Sequence, residues 1–279
     1  MNVADNTVIA VHYGQLATTR SDVYLNYSDY GEADGPDALA YYFWVIECGD
    51  RRVVLDTGFA GDVGRRRGRT LLIDPRDAFA ALSVPDEPDT VIVLSHAHYD
   101  HIGNIAHFQR ASFAMARAEY EYWIGSPRPL TVTHRVIEHD ELDQLKALRE
   151  EGRLRLLDDD VEIAPGIRAI LAPGHTPGQL MLLVDTAGGR VLLTSDAVHT
   201  DEELVRRMPF RHMCDLVSSA ATYDLIDRLR AEVAATEVVV GHESSLGGRY
   251  PPDPRLPDHS LVLTAPFSSH PPLMTRKAP

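Results

Sequence analysis

Cysteine is scarce in this 279-residue chain. Cys48 and Cys214 are the only two, far apart and in no CxxC pair. That excludes a disulfide framework and a thiolate metal cluster, and leaves buried free thiols in a reducing compartment as the expectation. Positive charge is also in short supply, since 27 Lys and Arg face 41 Asp and Glu for a formal net charge of −14. Such a balance argues against nucleic acid or an anionic membrane surface as a partner. No apolar run approaches transmembrane length, and the N-terminal MNVADNTVIAVHYG has no basic region followed by an apolar core. The expectation is a cytoplasmic protein that works on a small molecule.

What the chain does have is histidine in one place. Residues 91–101 read VIVLSHAHYDH. The β-branched and apolar start reads as a strand buried on both faces. His96, His98, Asp100 and His101 follow it at once. So many imidazoles and a carboxylate at one strand end would repel or go unsatisfied without a cation among them. Neutral imidazole and carboxylate are what Zn²⁺ and similar ions prefer. Side chains two apart in an extended segment share a side, so His96 and His98 can converge on one ion. Asp100 and His101, displaced along the turn, can reach a second.

In chain order, residues 7–13, 41–47 and 52–55 read as strands, the third ending in the turn Asp56-Thr57-Gly58. Asp56 could orient a ligand histidine or cap that turn. The run GRRRGR at 64–69 reads as a solvated loop. A short helix is expected over 77–82, a second from Gly103-Asn104 to about residue 108, a strand over 111–115 and a helix over 116–126. Residues 138–151 form a charged amphipathic helix with Leu142, Leu145 and Leu148 on one side. The 104–151 block offers a substrate-pocket wall or a homodimer surface, although Tyr120, Tyr122 and Trp123 read first as core. From 154 to 194 short strands alternate with turns. A helix over 218–232, a strand over 238–240 and Gly241-His242 follow. Eight of the chain's 18 prolines fall in residues 251–279. The expected organisation is therefore one domain over 1–250 and a Pro-rich arm over 251–279, partly disordered.

One pattern repeats: an apolar strand, a sharp turn and a potential ligand, at 96–101, 175, 196 and 242. With its His-x-His-x-Asp-His start, the chain resembles the metallo-β-lactamase-fold hydrolases over roughly residues 40–245. The resemblance implies an α/β fold, an αβ/βα four-layer sandwich of two mixed β-sheets flanked by helices. It also implies that His96, His98 and His175 hold one metal, that Asp100, His101 and His242 hold the other, and that Asp196 bridges. Two Zn²⁺ are the implied cofactors, replaceable by Fe, Mn or Co. The other histidines (12, 107, 134, 139, 212, 259 and 270) lack the strand-end setting.

Within that superfamily the segments LDTGF, SHAHYDHIGN, APGHTPGQLMLLV and LLTSDAVH are most similar to N-acyl homoserine lactonases and related lactone hydrolases. The implied activity is opening of a lactone ring, of the quorum-quenching type, by a hydroxide shared between two ions. Asp100 and His199 are the candidate catalytic residues. His199 stands where those lactonases usually carry tyrosine, and a histidine can both donate a hydrogen bond and transfer a proton near neutral pH. Glu243 stands where relatives often show Asp, next to His242. The alternatives are a hydrolase of another cyclic ester or amide, a glyoxalase-II-like thioesterase, a true β-lactamase, or a non-catalytic zinc-binding protein.

Overall fold

Residues 5–125, 133–232 and 236–263 are described by the computed structural model. Alternation of side chains along the first strands sets the layers. In β1 (Thr7–Thr19) and β2 (Pro36–Cys48), Ile9, Val11, Tyr13, Tyr41, Phe43 and Val45 face one way. They pack with Phe79, Leu142, Leu145 and Leu148 from the helices Pro75–Ala81 and His139–Glu150. Val8, Ala10, Tyr42, Trp44 and Ile46 face the other way, onto a second sheet.

The first sheet continues through β3 (Arg51–Leu55), β4 (Thr70–Leu71), β5 (Val91–Val93), β6 (Ser112–Ala116) and β7 (Leu154–Leu157). The second holds β8 (Val161–Ala164), β9 (Ile167–Leu171), β10 (Leu180–Thr186), β11 (Gly189–Leu193) and β12 (Thr236–Val239). With β13 (Ser260–Val262), the first sheet has the order β13-β1-β2-β3-β5-β6-β7, and β4 pairs off β1. The second has the order β12-β11-β10-β9-β8. On its outer face Ile170, Met181, Leu183 and Leu192 pack with Tyr223, Ile226 and Leu229 of the helix Leu216–Glu232. The result is helix, sheet, sheet, helix, and both sheets are mixed.

Pairing direction then places the candidate ligands. β3 and β5 run parallel, so Asp56 and Ser95-His96 leave the sheet at one edge. β11 and β12 also run parallel, which brings Asp196 and His242 out together. His175 lies in the turn between antiparallel β9 and β10.

Several expectations need correction. β1 and β2 run to Thr19 and from Pro36, further than their apolar cores, because they pair with each other along that whole length through a register shift between His12 and Gly14. Helix starts at Tyr99, not at Gly103, so Asp100 and His101 sit on the turn Tyr99–Ile102, and only a 3₁₀ turn follows at Ile105–His107. Gly103 has no room for a Cβ, which would lie 2.6 Å from the Ala60 nitrogen. The run 64–69 is solvated at Arg65, Arg66 and Gly68 but is not simply a loop. Its first residues finish the helix Gly61–Arg66, the Arg67 guanidinium lies 4.1 Å over the Tyr99 ring and pairs with Glu138, and Arg69 donates to the Tyr99 hydroxyl. Neither cysteine is fully buried, and Cys214 is exposed in the loop before the last helix. The sheet also passes the boundary expected at 250, because β13 pairs with β1 through Ile9–Val262 and Val11–Ser260. The prolines at 266, 271, 272 and 279 lie outside the described residues. Among the described residues no helix is long and apolar enough to cross a membrane.

One residue of the core has a titration consequence. Glu141 shares the buried face of its helix with Leu142 and Leu145, and neither carboxylate oxygen has a hydrogen-bond partner among the described residues. Burial first, then Glu138 and Asp100, push its pKa up to about 8 against the pull of Arg67. Between the ordinary glutamate value and that one, the folded chain holds a proton that the unfolded chain has lost, so stability falls as pH rises. Glu141→Gln is expected to raise stability by roughly 2–4 kcal/mol at pH 8 and to change little at pH 5. Urea denaturation at the two pH values measures this, and equal gains at both would disprove it.

Candidate metal centre

The centre is built where the two sheets end side by side. His96 (0% exposed) and His98 (5%) continue β5. His98 is also the N-cap of the turn that carries Asp100 and His101. His175, Asp196 and His242 come from the second sheet, and all seven residues are buried. His96, His98, His175 and Asp196 each offer a ligand atom within 4.8 Å of the others, and so do Asp100, His101 and His242.

Asp196 joins the groups. Its Oδ2 lies 3.8 Å from His96 Nε2 and 3.5 Å from His175 Nε2. Its Oδ1 lies 3.2 Å from His101 Nε2 and 3.1 Å from His242 Nε2. Gly241 permits this approach, because a Cβ there would meet the Ser195 carbonyl at 2.6 Å.

The back side of most rings is pinned. His101 Nδ1 donates to Asp56 Oδ2 at 2.7 Å, and His242 Nδ1 to the Ala40 carbonyl at 2.7 Å. His96 Nδ1 lies 2.9 Å from the Ser95 hydroxyl. Asp56 is thus an orienting residue. Its carboxylate also accepts from the Ser95 amide and hydroxyl and from the Ser195 hydroxyl. Both Asp56 (φ 67°) and Ser195 (φ 45°) adopt left-handed backbone, a strained conformation that the surrounding structure must hold. Glu243 plays no such part, since its carboxylate accepts from the amides of Asp201 and Ser245.

The atoms left over fit a cation. His96 Nε2, His101 Nε2 and Asp196 Oδ1 are buried without a hydrogen-bond partner among the described residues. His175 Nε2 also faces His98 Nδ1 at 3.0 Å. Orphaned buried polar atoms are costly, and three in one place are better explained by an ion than by chance. The electrostatics agree. Burial, and then neighbouring imidazoles, hold His96 and His175 well below the ordinary histidine value, as neutral ligands require. Burial works the same way on His98. It opposes protonation of His101 too, yet Asp196, Asp56 and Asp100 outweigh it and raise that pKa. Burial would raise the Asp196 carboxyl, but His242, His101 and His199 keep it well below the usual range.

His199, fully buried, belongs to this centre. Nε2 lies 3.2 Å from Asp196 Oδ2, and Nδ1 lies 3.1 Å from Glu203 Oε2. The ring stacks on Phe210 with centroids 3.7 Å apart and lies nearly parallel to His242, with centroids 5.6 Å apart. Burial lowers its pKa, but Asp196 and Glu203 prevail and bring it to about 9. Trp123 and His98 meet edge to face with centroids 5.8 Å apart, so this aromatic is core and centre wall at once.

Three contributors escaped the sequence reading. Glu203 stands four residues after His199, a helical spacing that could have signalled it. Glu119 accepts from the Ala97 amide, Trp123 Nε1 and the Gly178 amide, and nothing in its local sequence marks it. His212, set aside for lacking a strand end, reaches the rim, where its ring meets Phe210 at 5.8 Å.

Comparison with known proteins agrees with this architecture. The metallo-beta-lactamase superfamily profile matches residues 36–242. An N-acyl homoserine lactonase of Bacillus sp is 30% identical over 162 residues, 56% of this chain and 58% of that protein. One from Bacillus cereus is 29% identical over 155 residues, 54% of this chain and 55% of that protein. The chain thus spans a little over half the length of these relatives. The crystal structure of a quorum-quenching N-acyl homoserine lactone lactonase superposes with a TM-score of 0.73 at 20% identity, covering 88% of this chain and 95% of that one. A dizinc quorum-quenching lactonase in complex with its product superposes at 0.68 and 19% identity, over 88% and 90% of the two chains. At such identities these structures speak to the fold, and the profile covers well over half of the sequence. By that match and by its four-layer architecture, the chain belongs to the metallo-beta-lactamase superfamily.

Proposed function

We propose that the centre is a dinuclear hydrolase site that opens a lactone ring, with N-acyl homoserine lactones as the substrate class and two Zn²⁺ as the ions. His96, His98 and His175 would hold one ion, Asp100, His101 and His242 the other, and Asp196 both. The observation that carries this reading is Asp196, which turns one oxygen to each ligand group at 3.1–3.8 Å. When bound, paired ions activate water as the nucleophile and polarise the ester carbonyl.

The chain's own residues do the rest. Asp56, Ser95 and the Ala40 carbonyl hold the Nδ1 sides of His101, His96 and His242, which leaves each Nε2 directed inward. Trp123 and Phe210 wall the centre with apolar surface suited to an acyl chain. With its Nδ1 proton held by Glu203, His199 would hydrogen-bond the substrate carbonyl or the departing oxygen through Nε2 as the charged imidazolium. The names of the Bacillus relatives support the lactone reading. Histidine in place of the lactonase tyrosine favours, as a second reading, another cyclic ester or a thioester.

Two measurements test this. Proton release is followed with a C6 acyl homoserine lactone, a simple γ-lactone, a glutathione thioester and a penicillin, and metal is counted on the same sample. Two ions per chain with selective opening of the acylated lactone is the expected result. Two ions with turnover of the thioester alone would replace the substrate, and absence of metal would remove the reading altogether. His199→Phe is expected to keep both ions while its rate falls by about 10²-fold, the usual share of one proton-transferring group. Metal analysis beside kinetics checks this, and loss of an ion would make His199 a ligand instead.

A further inference from the structure

Glu203 lies on the short helix Asp201–Arg206, whose N-cap is Thr200, and the Thr200 hydroxyl accepts from the Glu203 amide. Thr-x-x-Glu is the signature of a capping box, in which the glutamate would turn back to the N-cap amide. Here the carboxylate reaches one residue further. Its Oε2 accepts from the His199 amide at 2.6 Å and faces His199 Nδ1 at 3.1 Å. Its Oε1 accepts from the Tyr223 hydroxyl at 2.7 Å and from the Phe210 amide at 3.3 Å. Glu203 is 1% exposed and His199 0%, so water does not compete for these bonds.

We propose that Glu203 is a positioning residue for His199: its carboxylate takes the Nδ1 proton and thereby fixes Nε2 as the nitrogen presented to the metal centre. A carboxylate only accepts, so Nδ1 carries a proton whether the ring is neutral or charged. Ring orientation is set by Glu203 at the Nδ1 edge and by Phe210 stacked on the ring at 3.7 Å between centroids. The same carboxylate ties His199 to Phe210 and to Tyr223 of the long helix behind the second sheet, so ring and stacking partner hang from one anchor. Glutamine cannot replace it. Both oxygens face a backbone N–H, at His199 and at Phe210, and an amide NH₂ would oppose one of them. The role of His199 toward substrate rests on the hydrolase reading above, whereas the tautomer does not.

The test has two readouts. Nitrogen-15 NMR of the histidine side chains, on metal-free and metal-loaded protein, reports which nitrogen of His199 bears the proton. Nδ1–H is expected in both wild-type forms, alone where the ring is neutral and beside Nε2–H where it is charged, with loss of the single neutral tautomer in Glu203→Gln. A neutral ring protonated at Nε2 alone in the wild type would overturn the proposal. In kinetics with whichever ester the wild type turns over, Glu203→Gln is expected to lower kcat roughly 10–100-fold with KM within about twofold. In a His199→Phe background the same substitution is expected to cost nothing further. An equal loss in both backgrounds would make Glu203 merely structural and overturn the proposal. Should Glu203→Gln not fold, Tyr223→Phe removes the far contact of the carboxylate without touching the ring. Retention of Nδ1–H there supports the assignment, and its loss overturns it. If the wild type opens no lactone, the substrate reading fails while the nitrogen measurement still decides for or against Glu203.

Discussion

Asp196→Asn is expected to lower turnover by about a thousandfold or more, on the scale of losing one preorganised electrostatic contribution, and to cost the protein at least one of two bound ions. The reason is symmetry of use. Each carboxylate oxygen faces one candidate ligand group, Oδ2 toward His96 and His175 and Oδ1 toward His101 and His242, and Oδ2 also faces His199. An amide keeps one oxygen and presents an NH₂ at the other position, where it can ligate nothing. It also removes the negative charge that two adjacent cations need. Volume is conserved, so the fold should survive. Metal counting, circular dichroism and proton release on one preparation measure all three effects. Full activity with two ions in the variant would end the dinuclear assignment.

Glu119→Ala is the substitution with the largest expected effect on stability. This fully buried carboxylate lies on the turn Arg117–Tyr120 and accepts from the Ala97 amide at 2.9 Å, Trp123 Nε1 at 2.7 Å and the Gly178 amide at 3.0 Å. Ala97 sits between His96 and His98, and Gly178 closes the turn that carries His175. One side chain therefore fastens two ligand loops from different sheets to each other. Alanine leaves three buried donors without an acceptor, each costing about 1–3 kcal/mol. Some of that is regained because a charge no longer has to be buried, so the net loss is about 3–5 kcal/mol. At roughly 2–4 °C per kcal/mol, Tm should drop by about 10 °C. Thermal unfolding of metal-free protein gives the measurement, and a shift of less than about 2 °C, below what 1 kcal/mol produces, would show that Glu119 fastens nothing.

The residues that gather at the candidate centre could be found in the sequence because their signal is local. Apolar strand, turn and ligand fall within a few residues each time, and the parallel pairs β3–β5 and β11–β12 carry the pattern to one edge of the sandwich. The helix 138–151 was legible for the same reason, from the spacing of Leu142, Leu145 and Leu148. Features whose partners lie far along the chain were not legible. Glu119 and Glu203 look like solvated helix carboxylates until the fold brings Ala97, Gly178 and Tyr223 against them. Arg67 and Arg69 look like a solvated run until Tyr99 and Glu138 arrive. Prolines at 251, 252, 254 and 257 hide an edge strand, because three residues of pairing at Ser260–Val262 leave no periodicity to detect.

Both ligand groups draw on both sheets, and this sets an order of assembly during synthesis. The first sheet's strand end at His96–His101 leaves the ribosome early, but by itself it offers neither group its full membership. The group of His96, His98, His175 and Asp196 is complete only when residue 196 has emerged and the two sheets have met. The group of Asp100, His101 and His242 must wait for residue 242. Because a site absent from the unfolded chain adds its binding energy only on folding, the proposed dinuclear centre would capture its ions in the last stage of the chain's maturation. A nascent chain stalled before residue 242 lacks one of the two groups, however long it is left to fold.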